Sequence, residues 1–390
     1  MTDTPFIDAP TAAERLGVSR ATLYAYVSRG LVRAEPHPTD PRARLYRAAD
    51  IAALTRRKAL QHRPAEAAAT TLDWGMPAIV TAISSIADGH LTYRGTDAVD
   101  WSRMATLEET AAMLWQGAPP PNETAPDFRP PDWDMLLAHV KHASGLDRAM
   151  ALLSLPMDDE PPGTAEDRLT TRSGALLRLL AEAVVPRLPA GVTLHEGLAR
   201  AWGRPDAADT LRRALVLLAD HETNASTYAV RVVASTGASL RACLHGGLAA
   251  LSGPLHGGAT ARASALVEAV AQAASADKAV RDRLARGESL AGFGHPLYPE
   301  GDPRAAELLA HIGPSEATLA IAAVDNAAGL RPNVDMALVA VEKAYELPDG
   351  AALDLFTIGR AAGWLAHAIE QRTRGRLIRP RARFVGDSGL

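Results

Sequence analysis

The sequence predicts an all-α protein with more than one domain. Its 390 residues exceed the length of most single domains. Hydrophobic residues make up 47% of the chain and aromatic residues only 5%, so alanine and leucine carry the apolar content, which favours helices over sheets. Residues 1–63 contain 11 Lys and Arg against 6 Asp and Glu, whereas the remainder contains 30 against 39. A basic head on an acidic body indicates two domains with different partners.

Composition excludes several classes of protein. Cys243 is the one cysteine, so no intramolecular disulfide can form, and its place in a helical pattern indicates a small core residue. The first ten residues lack the basic and apolar regions of a signal peptide. No apolar run approaches the ~18 residues that a membrane span requires. We therefore expect a cytoplasmic protein with no membrane partner.

The basic head has the pattern of two short helices joined by a turn. Thr11 and Glu14 form a capping-box pattern that opens the first helix. Gly17 turns the chain, and Ser19 is placed to cap a second helix over residues 20–29. A segment with three prolines and several arginines follows, and then another helical pattern begins. This order predicts a helix-turn-helix with the second helix in the recognition position.

The run AAERLGVSRATLYAYVSRGLV is similar to the winged helix-turn-helix of MerR-type and excisionase-type proteins. The resemblance places this small domain at residues 1–62, followed by a linker at residues 63–71. It implies DNA as a partner, because the recognition helix and the basic wing of such domains contact nucleic acid. An alternative stays open, in which the domain serves only docking or dimerisation. The candidate DNA contacts are Arg20, Thr22, Tyr24, Arg42 and Arg44.

Residues 220–259 are the most informative stretch of the acidic body. Apolar residues recur at helical spacing from Val230 to Leu251, which predicts one long helix, and Pro254 is expected to stop it. His256 would then lie on a turn, where the glycines at 257–258 let the backbone lie close to a ligand. The alternative is a loop histidine that only satisfies backbone groups.

Chemistry-bearing residues recur downstream in a fixed order. A histidine between glycines and an arginine behind Asp-Pro occur within residues 292–304. Residues 331–335, RPNVD, open a helical pattern, and residues 358–360, IGR, are expected to start an apolar helix. The full order of motifs is DHExNAST, GPLHGGA, GFGHxxYxxxDPRA, PNVD, IGRxxGWxAH and LIRPR.

This order resembles bacterial citrate synthases from about residue 72 to residue 390. Residues 81–95, TAISSIADGHLTYRG, and the TLEE helix pattern after them are similar to the opening of these enzymes. The resemblance implies the all-α citrate synthase fold behind the helix-turn-helix domain. Its large domain would comprise residues 72–259 and 351–390, and its small domain residues 260–350.

The resemblance also implies the roles of individual residues. Asp335 would be the base that removes a methyl proton beside the thioester, and His256 would donate to the thioester oxygen. His295 would protonate the carbonyl of oxaloacetate. In the family, the arginine that corresponds to Arg379 crosses from a partner subunit, which implies a homodimer. The oxaloacetate ligands would be His221, Arg304, Arg360 and Arg379.

Asp335 lies at a helix start, where the dipole lowers a carboxyl pKa and burial raises it. The sequence leaves open which effect is larger. The sequence also departs from the family pattern: Pro296 and Pro299 stand where bacterial members carry basic residues near the CoA phosphates, which puts the docking of CoA in question. No metal or organic cofactor is expected, because the histidines lack ligand spacing such as HxxxH and no phosphate-binding glycine loop is present.

The sequence therefore supports three hypotheses. The first is a citrate synthase that condenses acetyl-CoA with oxaloacetate and water. The second is a 2-methylcitrate synthase that uses propionyl-CoA, since one methylene changes binding by only ~1–3 kcal/mol. The third is a DNA-binding regulator with a citrate-synthase-like domain that senses a metabolite.

Overall fold

A computed structural model describes most of the chain and divides it into two compact units, Met1–Val80 and Thr81–Leu390. The predicted linker at residues 63–71 and the candidate DNA contact Arg42 lie outside the described residues. The described ranges are 6–28, 31–37, 40, 43–61, 79–120 and 129–380.

The first unit is a three-stranded antiparallel sheet with three helices. The sheet has the order β1-β3-β2, with Phe6 opposite Arg47 and Ala34 opposite Tyr46. Its core collects apolar residues from every helix and from the loop before β2, with Leu23 and Ile51 fully buried. In chain order the elements are β1 (Phe6–Asp8), α1 (Ala9–Leu16), α2 (Arg20–Ser28), β2 (Ala34–Pro36), β3 (Arg44–Arg47) and α3 (Ala48–Gln61).

The helix-turn-helix prediction is confirmed in outline, with one correction. Gly17 has φ 59° and ends α1, as the turn requires. Ser19 Oγ accepts a hydrogen bond from the N–H of Thr22 (3.2 Å), as predicted for a cap. The predicted capping box of Thr11 was wrong, because the N-cap of α1 is Asp8, three residues earlier, and Asp8 Oδ1 accepts from the N–H of Thr11 (2.9 Å).

The second unit begins with a small antiparallel sheet, formed by β4 (Ser84–Ala87), β5 (His90–Tyr93) and β6 (Thr96–Asp97). Gly89 and Gly95 lie at its two turns with φ of 79° and 87°, so the strand and turn character predicted around them is confirmed. The buried Tyr93 donates its hydroxyl to Val216 O (2.8 Å) and fastens the sheet to the helices.

The rest of this unit is helical. The helix predicted to begin at Thr106 is present, and Thr106 and Glu109 form a capping box at its start. The helices are α4 (Ala98–Ser102), α5 (Leu107–Trp115), α6 (Trp133–His139), α7 (Gly145–Leu153), α8 (Glu166–Val184), α9 (Leu194–Ala201), α10 (Ala208–Leu218), α11 (Ala225–Ser235), α12 (Leu240–Leu251), α13 (Gly258–Ala271), α14 (Ala276–Ala285), α15 (Pro303–Leu309), α16 (Glu316–Ala328), α17 (Val334–Ala344) and α18 (Ala351–Arg374). None of the helices described is long and apolar enough to cross a bilayer.

α18 is the axis around which the large helices pack. It contacts α5, α8, α10, α11 and α12, and its central residues are buried on every side. Helices α13 to α17 pack mainly on one another. The sequence prediction that an apolar helix starts at Ile358 was wrong: α18 begins at Ala351, so Arg360 lies in mid-helix.

The long helix predicted between Val230 and Leu251 is two helices. α11 ends at Ser235, and Ser239 caps α12 by accepting from the N–H of Ala242 (3.2 Å). The apolar residues of both helices fall at spacings that would fit one continuous helix, so the sequence pattern did not show the break. The second helix ends at Leu251, three residues before the proline that was expected to stop it.

The crossing of α12 and α18 provides a test of this packing. A Cβ at Gly247 would lie 2.7 Å from the buried Trp364 ring. We expect Gly247→Ala to lower the free energy of unfolding by about 1–3 kcal/mol, because over-packing forces side chains off their rotamers. Urea titration should show it. Gly313→Ala should change stability little, because none of the described residues lies within 4 Å of the added carbon. Equal effects of both substitutions would contradict the packing.

Candidate active site

His256 lies on the turn between α12 and α13, as predicted. Its N–H donates to Gly253 O (3.0 Å), and Gly257 N–H donates to Leu251 O (3.0 Å). A Cβ at Gly257 would lie 2.3 Å from Leu251 O, so the tight turn requires glycine there. The backbone therefore fixes the direction of the His256 ring.

A serine that sequence reasoning missed holds the His256 ring. Its Nε2 lies 2.8 Å from Ser226 Oγ, which also accepts a hydrogen bond from Trp364 Nε1 (3.2 Å) and lies 3.0 Å from Asn224 Oδ1. Burial, and then the charge of Arg360, lower the pKa of His256 to about 4. The imidazole is therefore neutral at pH 7. The signal in the sequence that could have identified Ser226 was its place in the NAST run, residues 224–227.

His295 is placed by two chain segments that run side by side. Gly294 N–H donates to Arg331 O (2.9 Å), and Asn333 N–H donates to Gly292 O (2.9 Å). Gly292 has φ 85°, and a Cβ there would lie 2.9 Å from the Cβ of Met336. The pairing fixes the His295 loop against the start of α17.

Asp335 lies in the first turn of α17. Its N–H donates to the capping Asn333 Oδ1 (3.0 Å), and its side chain is partly buried. Burial raises the pKa of Asp335 to about 6, against the opposing charges of Arg304 and Arg360. Burial is therefore a larger effect than the charges of these arginines.

Three aromatic side chains, those of His221, His295 and Tyr298, pack against one another beside Arg304. His221 Nε2 lies 3.0 Å from the hydroxyl of Tyr298, and the His221 and His295 rings meet edge to face at 5.2 Å. Burial and then Arg304 lower the pKa of both histidines, for His295 to about 4. Tyr298 was not predicted as a site residue. It is the tyrosine of the motif GFGHxxYxxxDPRA, but the resemblance assigned it no role.

Arg304 is fully enclosed and paired. Its Nε and one terminal nitrogen donate to the two oxygens of Asp302 at 3.0 and 2.8 Å, and its guanidinium lies over the Tyr298 ring. Asp302 also accepts from the N–H of Val334 (3.0 Å), which is the first residue of α17. One carboxylate thus joins α15, the arginine and the helix that bears Asp335.

Arg360 is buried in the middle of α18 and is only partly satisfied. Its Nε donates to Leu218 O (2.8 Å), and its guanidinium stacks on Phe356 at 4.8 Å. One terminal nitrogen, NH1, has no hydrogen-bond partner among the described residues, although it is buried. A buried cationic donor without an acceptor is costly, so this geometry fits an anionic ligand such as a carboxylate.

The structure brings six of the seven predicted residues together. The Phe356 ring contacts the His256 ring, with 5.8 Å between the ring centroids, and also contacts the Arg360 guanidinium. The charges of Arg304 and Arg360 lower the pKa of His221 and oppose the rise in the pKa of Asp335. The cluster, here called the histidine–arginine cluster, consists of His221, His256, His295, Arg304, Arg360 and Asp335. A cavity of about 110 Å³ opens beside it and is lined by His295, Tyr298, Pro299 and Arg331, among others.

Arg379 does not join the cluster within one chain. It is exposed in the segment after α18, where Ile378 N–H donates to Ser235 Oγ (3.0 Å). In the first unit, Arg20, Tyr24 and Arg44 are exposed and Thr22 is half-buried, with its hydroxyl 3.0 Å from Ser19 Oγ.

Comparisons with known proteins agree with this geometry. Residues 167–381 match the family described as citrate synthase, C-terminal domain, and residues 10–64 match the MerR HTH family of regulatory proteins. A relative described as putative citrate synthase 2 from Mycobacterium tuberculosis is 33% identical over 354 residues, which cover 80% of this chain and 92% of that protein. A 2-methylcitrate synthase from Shewanella oneidensis is 29% identical over 365 residues, covering 80% of this chain and 94% of that protein.

A solved structure has the same fold in the second unit. It is a ternary complex of citrate synthase from Thermoplasma acidophilum with carboxymethyl coenzyme A and oxaloacetate. Its sequence is 26% identical to this one, and the two structures align with a TM-score of 0.64. The alignment covers 81% of this chain and 95% of the Thermoplasma chain. The ordered motifs, the cluster that they form and these likenesses lead to one conclusion: the chain belongs to the citrate synthase family.

Proposed function

We propose that the protein condenses acetyl-CoA with oxaloacetate and water to give citrate and CoA. The observation that carries this proposal is the buried, unsatisfied NH1 of Arg360, which lies in a cluster with neutral histidines and a carboxyl group of raised pKa. This arrangement suits a dicarboxylate beside a carbon acid. Propionyl-CoA as the acyl donor, giving 2-methylcitrate, is the close alternative.

Oxaloacetate would bind first through the arginines. A carboxylate at Arg360 NH1 supplies the missing acceptor, and the neutral His221 offers a hydrogen bond nearby. Arg379 of a second copy would complete the set, as the resemblance implies, so we expect the working enzyme to be a homodimer. Within one chain the exposed Arg379 is free of the cluster, which is consistent with that role.

Proton transfer follows from the three catalytic groups. The carboxylate of Asp335 takes a proton from the methyl carbon beside the thioester, and His256 donates a hydrogen bond to the developing enolate oxygen. The enolate carbon then forms a bond to the ketone carbon of oxaloacetate, whose oxygen takes a proton from His295. Water then attacks the thioester carbonyl: its oxygen becomes part of the new carboxylate, one of its protons leaves with the CoA thiol and the other goes to solvent. The proton taken by Asp335 replaces the one that His295 gave up.

Ser226 must donate to His256 Nε2 for this scheme to work. Its single hydroxyl proton has two acceptors, His256 Nε2 at 2.8 Å and Asn224 Oδ1 at 3.0 Å. Donation to the nearer Nε2 puts the imidazole proton on Nδ1, which can then donate to the thioester oxygen. A neutral donor matches the weak acidity of an enol better than an imidazolium would.

The first test is thiol release by the purified protein with oxaloacetate and either acetyl-CoA or propionyl-CoA. We expect turnover, with the higher kcat/KM for acetyl-CoA. Asp335→Ala should lower kcat by roughly 10²–10⁴-fold with the fold intact, because the variant lacks the carboxylate that takes the methyl proton. Asp349→Asn, an exposed acid before α18, is the matched control and should keep full activity.

Each result assigns a function. A higher kcat/KM for propionyl-CoA would make the protein a 2-methylcitrate synthase. Near-normal kcat in Asp335→Ala would overturn the assignment of the base. Folded protein that binds oxaloacetate but turns over neither thioester would point to Pro296 and Pro299 as the cause and would favour a sensing role.

The pH dependence tests the same base. Asp335 must be ionised to act, and its pKa is raised to about 6, so kcat/KM should fall tenfold per pH unit as the pH drops below about 6. His256 and His295, with pKa values of about 4, are neutral throughout that range and add no further loss. The profile should be measured from pH 5 to 8 on protein whose fold is monitored by circular dichroism. A flat profile down to pH 5 would contradict the raised pKa.

DNA binding by the first unit is a second proposal. It rests on the exposed Arg20, Tyr24 and Arg44 beside a formed helix-turn-helix, and on the match to MerR regulatory proteins. Basic side chains on such a module bind phosphates, and a dimer would present two readers to two half-sites.

Gel shifts of the full chain with genomic fragments at two salt concentrations would test this proposal. Arg20→Ala should weaken the complex and reduce the salt slope by about one, whereas Arg286→Ala, an exposed arginine of the second unit, should not. Repeating the assay with oxaloacetate asks whether the second unit acts as a sensor. The absence of any sequence-preferring complex would leave docking or dimerisation as the role of the unit.

A further inference from the structure

One face of α18 extends from the active site into the core. Arg360, Gly363, His367 and Gln371 follow one another at spacings of three and four residues, so they lie in one stripe along the helix. His367 is fully buried and lies two turns away from Arg360. None of the chemistry described so far uses it.

The carboxylate of Asp220 lies against this stripe at Gly363. A Cβ at Gly363 would lie 2.5 Å from Asp220 Oδ1 and 2.3 Å from Ala219 O, so only glycine leaves room there. Asp220 Oδ2 accepts hydrogen bonds from His367 Nε2 (3.2 Å) and from Ser84 Oγ. The carboxylate, which immediately precedes His221, is therefore fixed between His367 and Arg360.

A buried arginine sets the tautomer of His367. Arg231 Nε donates to His367 Nδ1 (2.8 Å), and Arg231 also pairs with Glu370. Burial lowers the pKa of Arg231 only to about 10, so it remains a protonated donor at neutral pH. Nδ1 must then accept, and the one proton of neutral His367 lies on Nε2, directed at Asp220.

The charges of Asp220 and Arg360 interact, but the two side chains do not form a hydrogen bond with each other. Among the protein charges near Arg360, that of Asp220 has the largest effect and raises the arginine's pKa, although burial lowers it overall to about 10. Within the described part of the chain, Asp220 Oδ1 and Arg360 NH1 both lack a hydrogen-bond partner, although both are buried. Two unsatisfied groups of opposite charge would pair if the carboxylate were free to turn.

We propose that His367, oriented by Arg231, is a positioning residue that holds Asp220 back from Arg360 and so keeps the guanidinium open for a substrate carboxylate. The proposal rests on the proposed function, because the carboxylate is that of oxaloacetate. The Asp220 charge still offsets that of the buried arginine before a substrate binds. Without His367, the carboxylate turns to Arg360 NH1 and competes with the substrate.

The experiment compares His367→Leu with His367→Gln, in which an amide N–H can replace Nε2–H. We expect the leucine variant to raise both Kd and KM for oxaloacetate about tenfold, the scale of one hydrogen bond to a charged group. Its kcat should stay within about threefold of the wild type, and KM for acyl-CoA should not change. The glutamine variant should bind close to normally. Kd is measured calorimetrically, without turnover.

His195→Leu is the matched control, since this partly buried histidine of α9 lies outside the histidine–arginine cluster. It should leave Kd for oxaloacetate unchanged. If His367→Leu does not fold, Ser84→Ala removes the other donor to Asp220 Oδ2 and should raise Kd in the same direction.

A double substitution separates positioning from a merely structural role. In Asp220→Asn the competing charge is absent, so adding His367→Leu should change Kd by less than about twofold. A lower Tm with an unchanged Kd in His367→Leu, or additive effects in the double variant, would overturn the inference. Wild-type protein that neither binds oxaloacetate nor turns over would instead overturn the proposed function.

Discussion

The burial of two guanidinium groups is the constraint on which the site depends. A charge inside a protein is costly unless it is paired or hydrogen-bonded. Arg304 is compensated by the two oxygens of Asp302, and Arg360 by Leu218 O, the Phe356 face and the nearby charge of Asp220. One arginine is thus satisfied, whereas the other keeps a donor unused. That inequality creates a preferred place for an anion beside Arg360.

The same positive field and the same burial act in opposite directions on the acid and the histidines. For a histidine, burial and nearby arginines both disfavour the charged form, so both lower the pKa of His221, His256 and His295. For Asp335 the two effects oppose each other, and burial prevails. One environment therefore yields neutral hydrogen-bond donors beside a carboxylate that titrates near pH 6. Burial and the arginine charges therefore account for the pKa shifts of all four groups.

Local patterns in the sequence predicted the turns and the cap at Ser19, because a few adjacent residues decide them. Gly17, Ser19 and the glycines beside His256 belong to this class, and so does the helix start at Thr106, whereas the capping box expected at Thr11 was wrong. Ordered motifs predicted the family and the six clustered residues. The start of α18 could not be found in this way, since a helix buried on every side has no polar face to mark its period or its end.

Contacts between distant segments were beyond the reach of spacing alone. Ser226 and Trp364 meet across 138 residues, and Asp220 and His367 across 147. Nothing in either segment's pattern indicates its partner, because each residue reads locally as an ordinary helix or turn position. Roles for the motif histidines could therefore be proposed from the sequence, whereas the residues that hold those histidines and arginines in place could not be found in it.

The glycines of α18 explain how a single helix can serve both packing and chemistry. Glycine in mid-helix lowers helix stability by roughly 1 kcal/mol relative to alanine. Gly359 and Gly363 nevertheless lie on either side of Arg360, where a Cβ would meet Leu218 Cβ at 2.8 Å and Ala219 O at 2.3 Å. Their missing side chains let the end of α10 approach α18 closely enough for Leu218 O to accept from Arg360. The arginine can be buried and anchored in mid-helix only because its neighbours along the helix are small.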